Sequence, residues 1–160
     1  MPDKGTIKKA QRDLRSGKSP TTAAGEFVRE EIHHVREGKH GARSAKQAIA
    51  IGLFKARRAG VPLPPPKTGS RKTREAARRA TAAGQGQRKR APSRTRSHAM
   101  ETALKREPHR AGSHRALSRQ AHDAAAHRTH AERSAAARKA AATKRGTGRR
   151  KAATARKRRR

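Results

Sequence analysis

Large apolar side chains are scarce in this chain, and most of them precede Pro66. Of its 160 residues only 16 are Val, Ile, Leu, Met or Phe, and 13 of these belong to residues 1–66. Burial of apolar surface is the main force that folds a domain, so only this first part can build a packed core. The distribution predicts a small helical module at residues 1–60, a proline-rich linker at residues 61–66 and a tail at residues 67–160.

Positive charge is distributed in the opposite way. The chain carries 44 Lys and Arg against 11 Asp and Glu, a formal net charge of +33. Residues 67–160 hold 30 of the basic residues and 5 of the acidic ones. Low apolar content combined with such a charge is typical of disorder and of binding to polyanions, among which nucleic acid is the usual partner. We therefore expect a cationic tail that contacts nucleic acid.

Composition excludes or disfavours several other classes of protein. Without Cys the chain has no disulfide, no Cys-ligated zinc and no Cys nucleophile. No segment approaches the ~18 consecutive apolar residues of a membrane helix, and the first residues lack the apolar region of a secretory signal. Neither a nucleophile elbow nor a phosphate-binding glycine loop occurs. We expect no enzyme activity, no catalytic residue, no cofactor, no metal site and no membrane partner.

The module is predicted to contain three helices, each ending at a glycine. Thr6 is the predicted cap of the first helix, which ends at Gly17. Ser19, followed by Pro20, is a strong signal for the start of the second helix, which ends at Gly38. The predicted apolar face of this second helix contains Ala24, Val28, Ile32 and Val35, with Phe27 beside them.

The third predicted helix begins at a capping box formed by Ser44 and Gln47, in which the Gln47 side chain reaches back to the Ser44 amide. It ends at Gly60 and carries an apolar face made of Ile49, Leu53 and Ala56. Thirteen large apolar side chains give at best a marginal core for ordering about 50 residues. The module is therefore expected to dimerise, to dock on a partner or to fluctuate.

The tail contains three kinds of sequence. Residues 67–96 show no pattern that predicts order. Residues 97–107 are typical of a short helix before Pro108, and residues 113–145 are rich in Ala, which has the highest helix propensity. Because the alanine-rich part lacks an apolar stripe, nothing holds such a helix to a core. The predicted fold class is mostly α and disordered, with a three-helix module followed by a long cationic tail that has helix-prone segments.

Candidate nucleic-acid contacts are basic residues on the third helix and in the tail. In residues 67–160 Arg outnumbers Lys by 22 to 8, and its planar guanidinium grips two phosphate oxygens at once. With only two aromatic residues in the chain, base stacking is not expected. The residues that we expect to contact phosphates are Lys46, Lys55, Arg57, Arg58, Arg88, Lys89, Arg90, Arg138, Lys139, Lys144, Arg145, Arg149, Arg150, Lys151, Arg156, Lys157, Arg158, Arg159 and Arg160.

A helix-turn-helix made of the second and third helices is an alternative way to contact DNA. In that arrangement Gln47 and the arginines of the third helix would read base edges. The connection between the two helices, residues 38–43, is longer than is usual for the motif. A helical hairpin with a solvated polar face is the favoured interpretation.

Two Glu-x-x-His pairs occur on the second helix, Glu30 with His33 and Glu31 with His34, a spacing also found in di-iron bundles. Those sites draw ligands from four helices and this chain has no second ligand helix, so a solvated polar face is again favoured. Another group shares one helical face in cationic surroundings that oppose a divalent ion: Asp123, His127 and His130. We expect these tail histidines to gain charge below pH ~6.5 and to tighten polyanion binding.

Two stretches carry a resemblance to known proteins. Gly-Lys at residues 38–39, followed by SAKQAIAIGL at residues 44–53, resembles a family of small basic bacterial proteins of unknown function. The resemblance covers roughly residues 17–63, and it implies the DNA-binding label that members often carry. Phe54 stands where the family pattern has a small polar residue. Residues 137–145, ARKAAATKR, resemble the tails of H1-type histones, including the bacterial H1-like proteins.

Together these features predict DNA binding that does not depend on base sequence, of the nucleoid-associated, histone H1-like kind. The protein would neutralise and bridge phosphates in the cytoplasm, at the nucleoid, and could form a homo-oligomer through its N-terminal helices. Two alternatives stay open. One is an RNA- or ribosome-associated basic protein, since an Arg-rich extension also suits ribosomal RNA. The other is a His-rich metal or stress protein.

Overall fold

The computed structural model describes residues 2–86 and 93–157, with side chains as far as residue 146. These residues form seven α-helices and one 3-10 turn, and no β-strand occurs among them. The predicted helical class is thereby confirmed. The chain divides into two compact units, the first extending to Ser118 and the second beginning at Arg119. Each unit is described by itself.

The first three helices are α1 (Lys4–Arg15), α2 (Pro20–Arg36) and α3 (Ala45–Arg58). The predicted caps of α2 and α3 are confirmed, because the Ser19 and Ser44 hydroxyls accept hydrogen bonds from backbone amides three residues later, at 3.4 and 3.2 Å. The three predicted helix ends are confirmed as well. Each has the positive φ that favours glycine, +74°, +74° and +91° at Gly17, Gly38 and Gly60.

Two local predictions about helix starts are wrong. Thr6 does not cap α1, which begins earlier, since Asp3 is the extended residue and its carbonyl accepts the first helical hydrogen bond from the Ile7 amide at 3.1 Å. The Gln47 side chain does not return to the Ser44 amide. Its Oε1 accepts from the amide of Arg43, one residue further back, at 2.8 Å.

Helix α2 packs against both α1 and α3, so its inner face is the centre of the first unit. Five residues of α2 are at most 1% exposed: Ala23, Ala24, Phe27, Glu31 and Val35. The predicted face is therefore wrong in its middle, because Val28 and Ile32 are only half-buried. Glu31 occupies a core position in their place, although it carries a charged side chain.

Small residues let the helices of this unit approach closely. A Cβ atom added at Gly52 of α3 would lie 2.7 Å from the Cα of Val28 in α2, a distance that real Cβ atoms do not show. Most of the core around Phe27 is alanine, and two side chains of the predicted linker complete it, Val61 and Leu63. The segment at residues 61–66 therefore adds to the core and is more than a spacer.

Packing continues beyond Pro66. Helix α4 (Arg71–Gly84) begins at Ser70, whose hydroxyl accepts from the Thr73 amide at 3.2 Å, and it packs on α3. A Cβ at Gly84 would lie 2.0 Å from the Arg57 carbonyl oxygen, so backbone meets backbone there. The sequence predicted no order for residues 67–96. That prediction counted only large apolar side chains, whereas α4 is held through alanine and glycine.

Residues 104–112 return to the connection between α2 and α3. They follow α5 (Arg94–Lys105) and include the 3-10 turn His109–Gly112. The amides of Gly41 and Ala42 donate to the carbonyls of Leu104 and Pro108 at 2.8 and 3.1 Å. Ala111 is buried in a second small cluster with Val35, Ala42 and Ala48. The boundary at Pro66, which implies that residues 1–66 fold without the rest of the chain, stays a prediction.

The alanine-rich part of the chain is helical in two pieces, α6 (His114–Ala126) and α7 (His130–Lys157). Helix α7 lies in the second unit and begins at a capping box. The amide of Thr129 donates to the Glu132 carboxylate at 2.9 Å, and the Glu132 amide donates to the Thr129 hydroxyl at 3.2 Å. No residue of α7 whose side chain the structure describes is buried.

Candidate functional site

Helix α7 presents cationic side chains in several directions. The predicted contacts Arg138, Lys139, Lys144 and Arg145 are all exposed. Successive residues of an α-helix are about 100° apart, so these four cannot share one face. Glu132 is the last acidic residue of the chain, and thirteen basic residues follow it. Helix α7 therefore carries positive charge around its axis and is not an amphipathic helix.

The remaining tail predictions fall at or beyond the limits of the described structure. Five of them are backbone positions of α7 whose side chains are not described: Arg149, Arg150, Lys151, Arg156 and Lys157. Six lie outside the described residues: Arg88, Lys89, Arg90, Arg158, Arg159 and Arg160. All eleven stay predictions.

The four basic residues predicted on α3 have different environments. Lys46 and Arg58 are exposed, and the Arg58 guanidinium carbon lies 5.7 Å from the centre of the Phe54 ring. Arg57 is only 9% exposed, its Nη2 donates to the carbonyl of Pro64 at 3.0 Å, and burial lowers its pKa. Its guanidinium serves the fold, so we remove Arg57 from the predicted interface.

Lys55 is also used inside the fold, because its Nζ is bonded to Oε2 of Glu31. We remove it from the predicted interface as well. The Gln47 side chain is occupied by its hydrogen bond with the Arg43 amide. Only Lys46 and Arg58 stay available among the predicted contacts of α3, which argues against a base-reading role for this helix.

A buried ionic cluster surrounds Glu31, which is completely inaccessible to solvent. We call Glu31, His34, His40 and Lys55 the Glu31 cluster. Oε2 of Glu31 meets Lys55, and Oε1 lies 3.1 Å from Nε2 of His40. The His34 and His40 rings stand edge to face, with centroids 6.2 Å apart. Three elements, α2, the α2–α3 connection and α3, thus contribute to one site.

The histidines of the cluster differ in their surroundings. Burial, followed by the nearby charges of Lys55 and Lys39, lowers the pKa of His34, so its ring is neutral near pH 7. Nδ1 of His40 lies 3.0 Å from the carbonyl oxygen of Gly41. A carbonyl oxygen only accepts, so His40 carries a proton on Nδ1 and directs Nε2 at Glu31.

Sequence reasoning placed both Glu30 and Glu31 on a solvated face, and this was wrong. Glu30 is 8% exposed, and its Oε1 accepts from the Asp3 amide at 2.9 Å. His33 and Glu37 are on the exposed side, where His33 Nδ1 lies 3.1 Å from Glu37 Oε1. The spacing of Glu31 did indicate burial, because it lies four residues after Phe27 and four residues before Val35, both of which are core residues. We assigned it to solvent because burying a charge is costly unless a partner meets it, and the partners of Glu31 are distant in sequence.

A cavity of about 740 Å³ opens beside the Glu31 cluster. All four cluster residues line it, together with apolar side chains of several helices. Two of these apolar side chains are notably exposed for their size, Phe54 at 41% and Met100 at 60%. The lining combines these apolar side chains with several charged ones, which include Lys39, Arg58 and Glu101 beside the cluster.

Residues 4–67 match a family of unknown function, DUF6496. The matched segment contains α1 to α3 and every residue of the Glu31 cluster, while α7 lies outside it. The predicted resemblance of the module to an uncharacterised family is thereby confirmed. No curated protein and no solved structure matches the chain. Among the helices in the described residues, none combines the length and the apolar character needed to cross a membrane.

Proposed function

We propose that the protein binds nucleic acid, and duplex DNA above all, through the cationic residues that follow Glu132, without reading base sequence. The observation that carries the proposal is the arrangement of α7. Its basic side chains as far as residue 146 are exposed and point in several directions, and no acidic residue follows Glu132 in the sequence to neutralise them. Such a segment binds phosphates by releasing condensed counterions.

The length of α7 supports neutralisation and bridging. A helix of 28 residues is about 42 Å long, and a duplex presents roughly 25 phosphate charges over that distance. Ten basic residues lie within His130–Lys157, so one helix neutralises only part of the duplex beside it. Because the cations point in different directions, those facing away from one duplex are free to contact a second. We infer a nucleoid-associated role of the H1-like kind, in the cytoplasm.

Residues 1–118 supply a folded unit that carries the cationic segment. Within α3 only Lys46 and Arg58 stay available for phosphates. Exposed basic residues on the other helices of this unit, such as Arg71, Lys72 and Arg74 of α4, add to the non-specific affinity. An Arg-rich segment suits structured RNA as well as DNA, and RNA is the alternative partner in the test below.

The test compares the full chain with a variant in which all thirteen basic residues after Glu132 become Gln. We expect the affinity for a random 30-base-pair duplex at 0.1 M salt to fall by roughly 10³-fold or more. The slope of log K against log salt should fall by about 0.9 for each lost phosphate contact. The matched control replaces every Arg of the same stretch by Lys, which keeps the charge.

The control should bind within a few-fold of the natural chain and keep its salt slope. A Gln variant that binds duplex DNA as well as the natural chain would contradict the proposal. Competition between a duplex and a folded RNA of equal length, at equal salt, decides between the two partners. Preference for the RNA would replace DNA by RNA as the target.

A further inference from the structure

The Glu31 cluster brings three metal-binding atoms together. One carboxylate oxygen of Glu31 and one ring nitrogen each of His34 and His40 lie within 4.8 Å of one another. We propose that these three side chains bind a divalent transition-metal ion of the Zn²⁺ or Ni²⁺ class. Two imidazoles and one carboxylate are a common donor set for zinc, and they leave a fourth position open. All three side chains line the 740 Å³ cavity.

Glu31 supplies the main observation. Its side chain is fully buried, and Oε1 has no hydrogen-bond partner among the described residues. An unpaired carboxylate oxygen in such a place costs several kcal/mol unless a cation meets it. Lys55 satisfies only the other oxygen, Oε2. The cluster therefore has one fully desolvated negative oxygen, faced at 3.1 Å by Nε2 of His40, which donates to it only when that nitrogen carries a proton.

His40 faces the unpaired oxygen of Glu31. Its Nδ1 donates to the Gly41 carbonyl, so any lone pair of the ring is on Nε2. That nitrogen lies 3.1 Å from Oε1 of Glu31, and a lone pair there would face the carboxylate. Either a proton or a metal ion between them removes the repulsion. Metal-bound histidines commonly donate their second ring N–H to a backbone carbonyl, as Nδ1 of His40 does here.

His34 favours the metal over the proton. Its ring stands edge to face with His40, and it offers a second nitrogen donor in the same place. A proton on His40 needs no second imidazole, whereas a transition-metal ion uses both. Imidazole donors select Zn²⁺, Ni²⁺ or Co²⁺ over Mg²⁺ and Ca²⁺, which prefer oxygen.

The surrounding charges set the strength of the site. Lys55 holds the second oxygen of Glu31 and thereby orients the carboxylate, while its charge opposes the incoming ion. Lys39 also lines the cavity. Glu30 lies behind His34, with Oε1 3.8 Å from its Nε2, and offsets part of this positive charge. We therefore expect binding weaker than that of structural zinc sites.

The experiment titrates the full chain, freed of metal by a chelator, with Zn²⁺ and with Co²⁺ by calorimetry and absorption spectroscopy. The test variants are His40→Gln and His34→Gln, which keep a polar side chain at each position. The matched control is the double variant H127Q/H130Q, which removes tail histidines that are exposed. Circular dichroism verifies that each variant keeps its helices.

We expect one tight equivalent in the natural chain and in the control, and at least tenfold weaker binding in each test variant. Zn²⁺ should raise the melting temperature of the natural chain and of the control, but not that of the test variants. Bound Co²⁺ should give the visible absorption of a tetrahedral site. The proposal is overturned if the natural chain binds no ion at 100 µM, or if the loss of binding follows His127 and His130. It is equally overturned if both test variants bind Zn²⁺ like the natural chain. It is also overturned if the NMR signals of the His40 ring do not shift when Zn²⁺ is added, since a proton would then be the partner of Glu31 Oε1.

Discussion

Some basic residues of the first unit are bonded to groups within the fold, whereas the described basic residues of α7 are exposed. In the first unit Lys18 pairs with Asp13 at 2.6 Å, and both Arg36 and Arg57 donate to backbone carbonyls. In the second unit the described cations of α7 are exposed, and no acidic residue follows Glu132. Net charge therefore overestimates the number of phosphate contacts that a chain offers. A basic residue counts toward an interface only when no group within the fold already uses it.

Limited proteolysis should show the largest contrast between the units. Exposed helix without a core opens at little cost, whereas cleavage inside α2 or α3 requires the packed unit to open first. With an opening free energy of about 3 kcal/mol, trypsin would cut the first unit roughly 100-fold more slowly than α7. We expect an early fragment that ends near residue 118, identified by mass spectrometry over a time course.

The sequence alone predicts a fragment that ends near residue 63. If that shorter fragment accumulates first, Pro66 is the true boundary and the packing of α4 does not protect it. A resistant fragment centred on residues 97–145 would contradict the division into two units altogether.

Local signals explain why the starts of α2 and α3 were predictable. A serine followed by the first turn of a helix, and a glycine after the last turn, act within a few residues. The Ser19 and Ser44 caps and the three glycine stops were therefore found from sequence. The start of α1 was missed because Asp3 and Thr6 are both acceptable caps, and only the position of the whole helix against α2 chooses between them.

Tertiary signals explain what the sequence did not reveal. Helix α4 is held by Ala77, Ala80 and the close approach at Gly84, and alanine is too common in this chain to mark a core. Glu31 was assigned to solvent because its partners Lys55 and His40 are 24 and 9 residues away. The cationic character of the tail, in contrast, is a property of composition and needs no fold.

Removal of the buried carboxylate should have the next largest effect. Glu31→Ala leaves Lys55 inside the fold without its partner, so we expect a loss of about 3 kcal/mol in the free energy of unfolding. Urea denaturation in the presence of a chelator measures this loss without any contribution from metal. Affinity for duplex DNA should stay unchanged, because the Glu31 cluster belongs to the first unit.

The matched control for that variant is Glu101→Ala. Glu101 pairs with Lys105 at 2.9 Å on the surface of α5, and this hydrogen bond lowers its pKa. An exposed pair of this kind contributes little to stability because solvent screens it. Equal losses in the two variants would show that Glu31 is not buried as the structure has it.

The same substitution at two glycines should have opposite effects. Gly52→Ala places a Cβ against the Val28 backbone and should destabilise the chain by about 1–3 kcal/mol. Gly146→Ala meets nothing within 4 Å and replaces a poor helix former in α7, so helix content should rise. Circular dichroism and urea denaturation of the two variants measure both effects. A tolerated Gly52→Ala would mean that α2 and α3 do not pack so closely.

Single arginines provide the finest comparison of the two units. Arg57→Gln removes the hydrogen bond to Pro64 and should lower the free energy of unfolding by about 1 kcal/mol, while the salt dependence of DNA binding stays unchanged. Arg138→Gln removes an exposed cation of α7, so stability should stay constant while the slope of log K against log salt falls by about 0.9. Both variants lose one positive charge, so any difference between them comes from position and not from net charge. If the two variants reduce the salt slope equally, the buried guanidinium does contact phosphate and the distinction between internal and external cations fails.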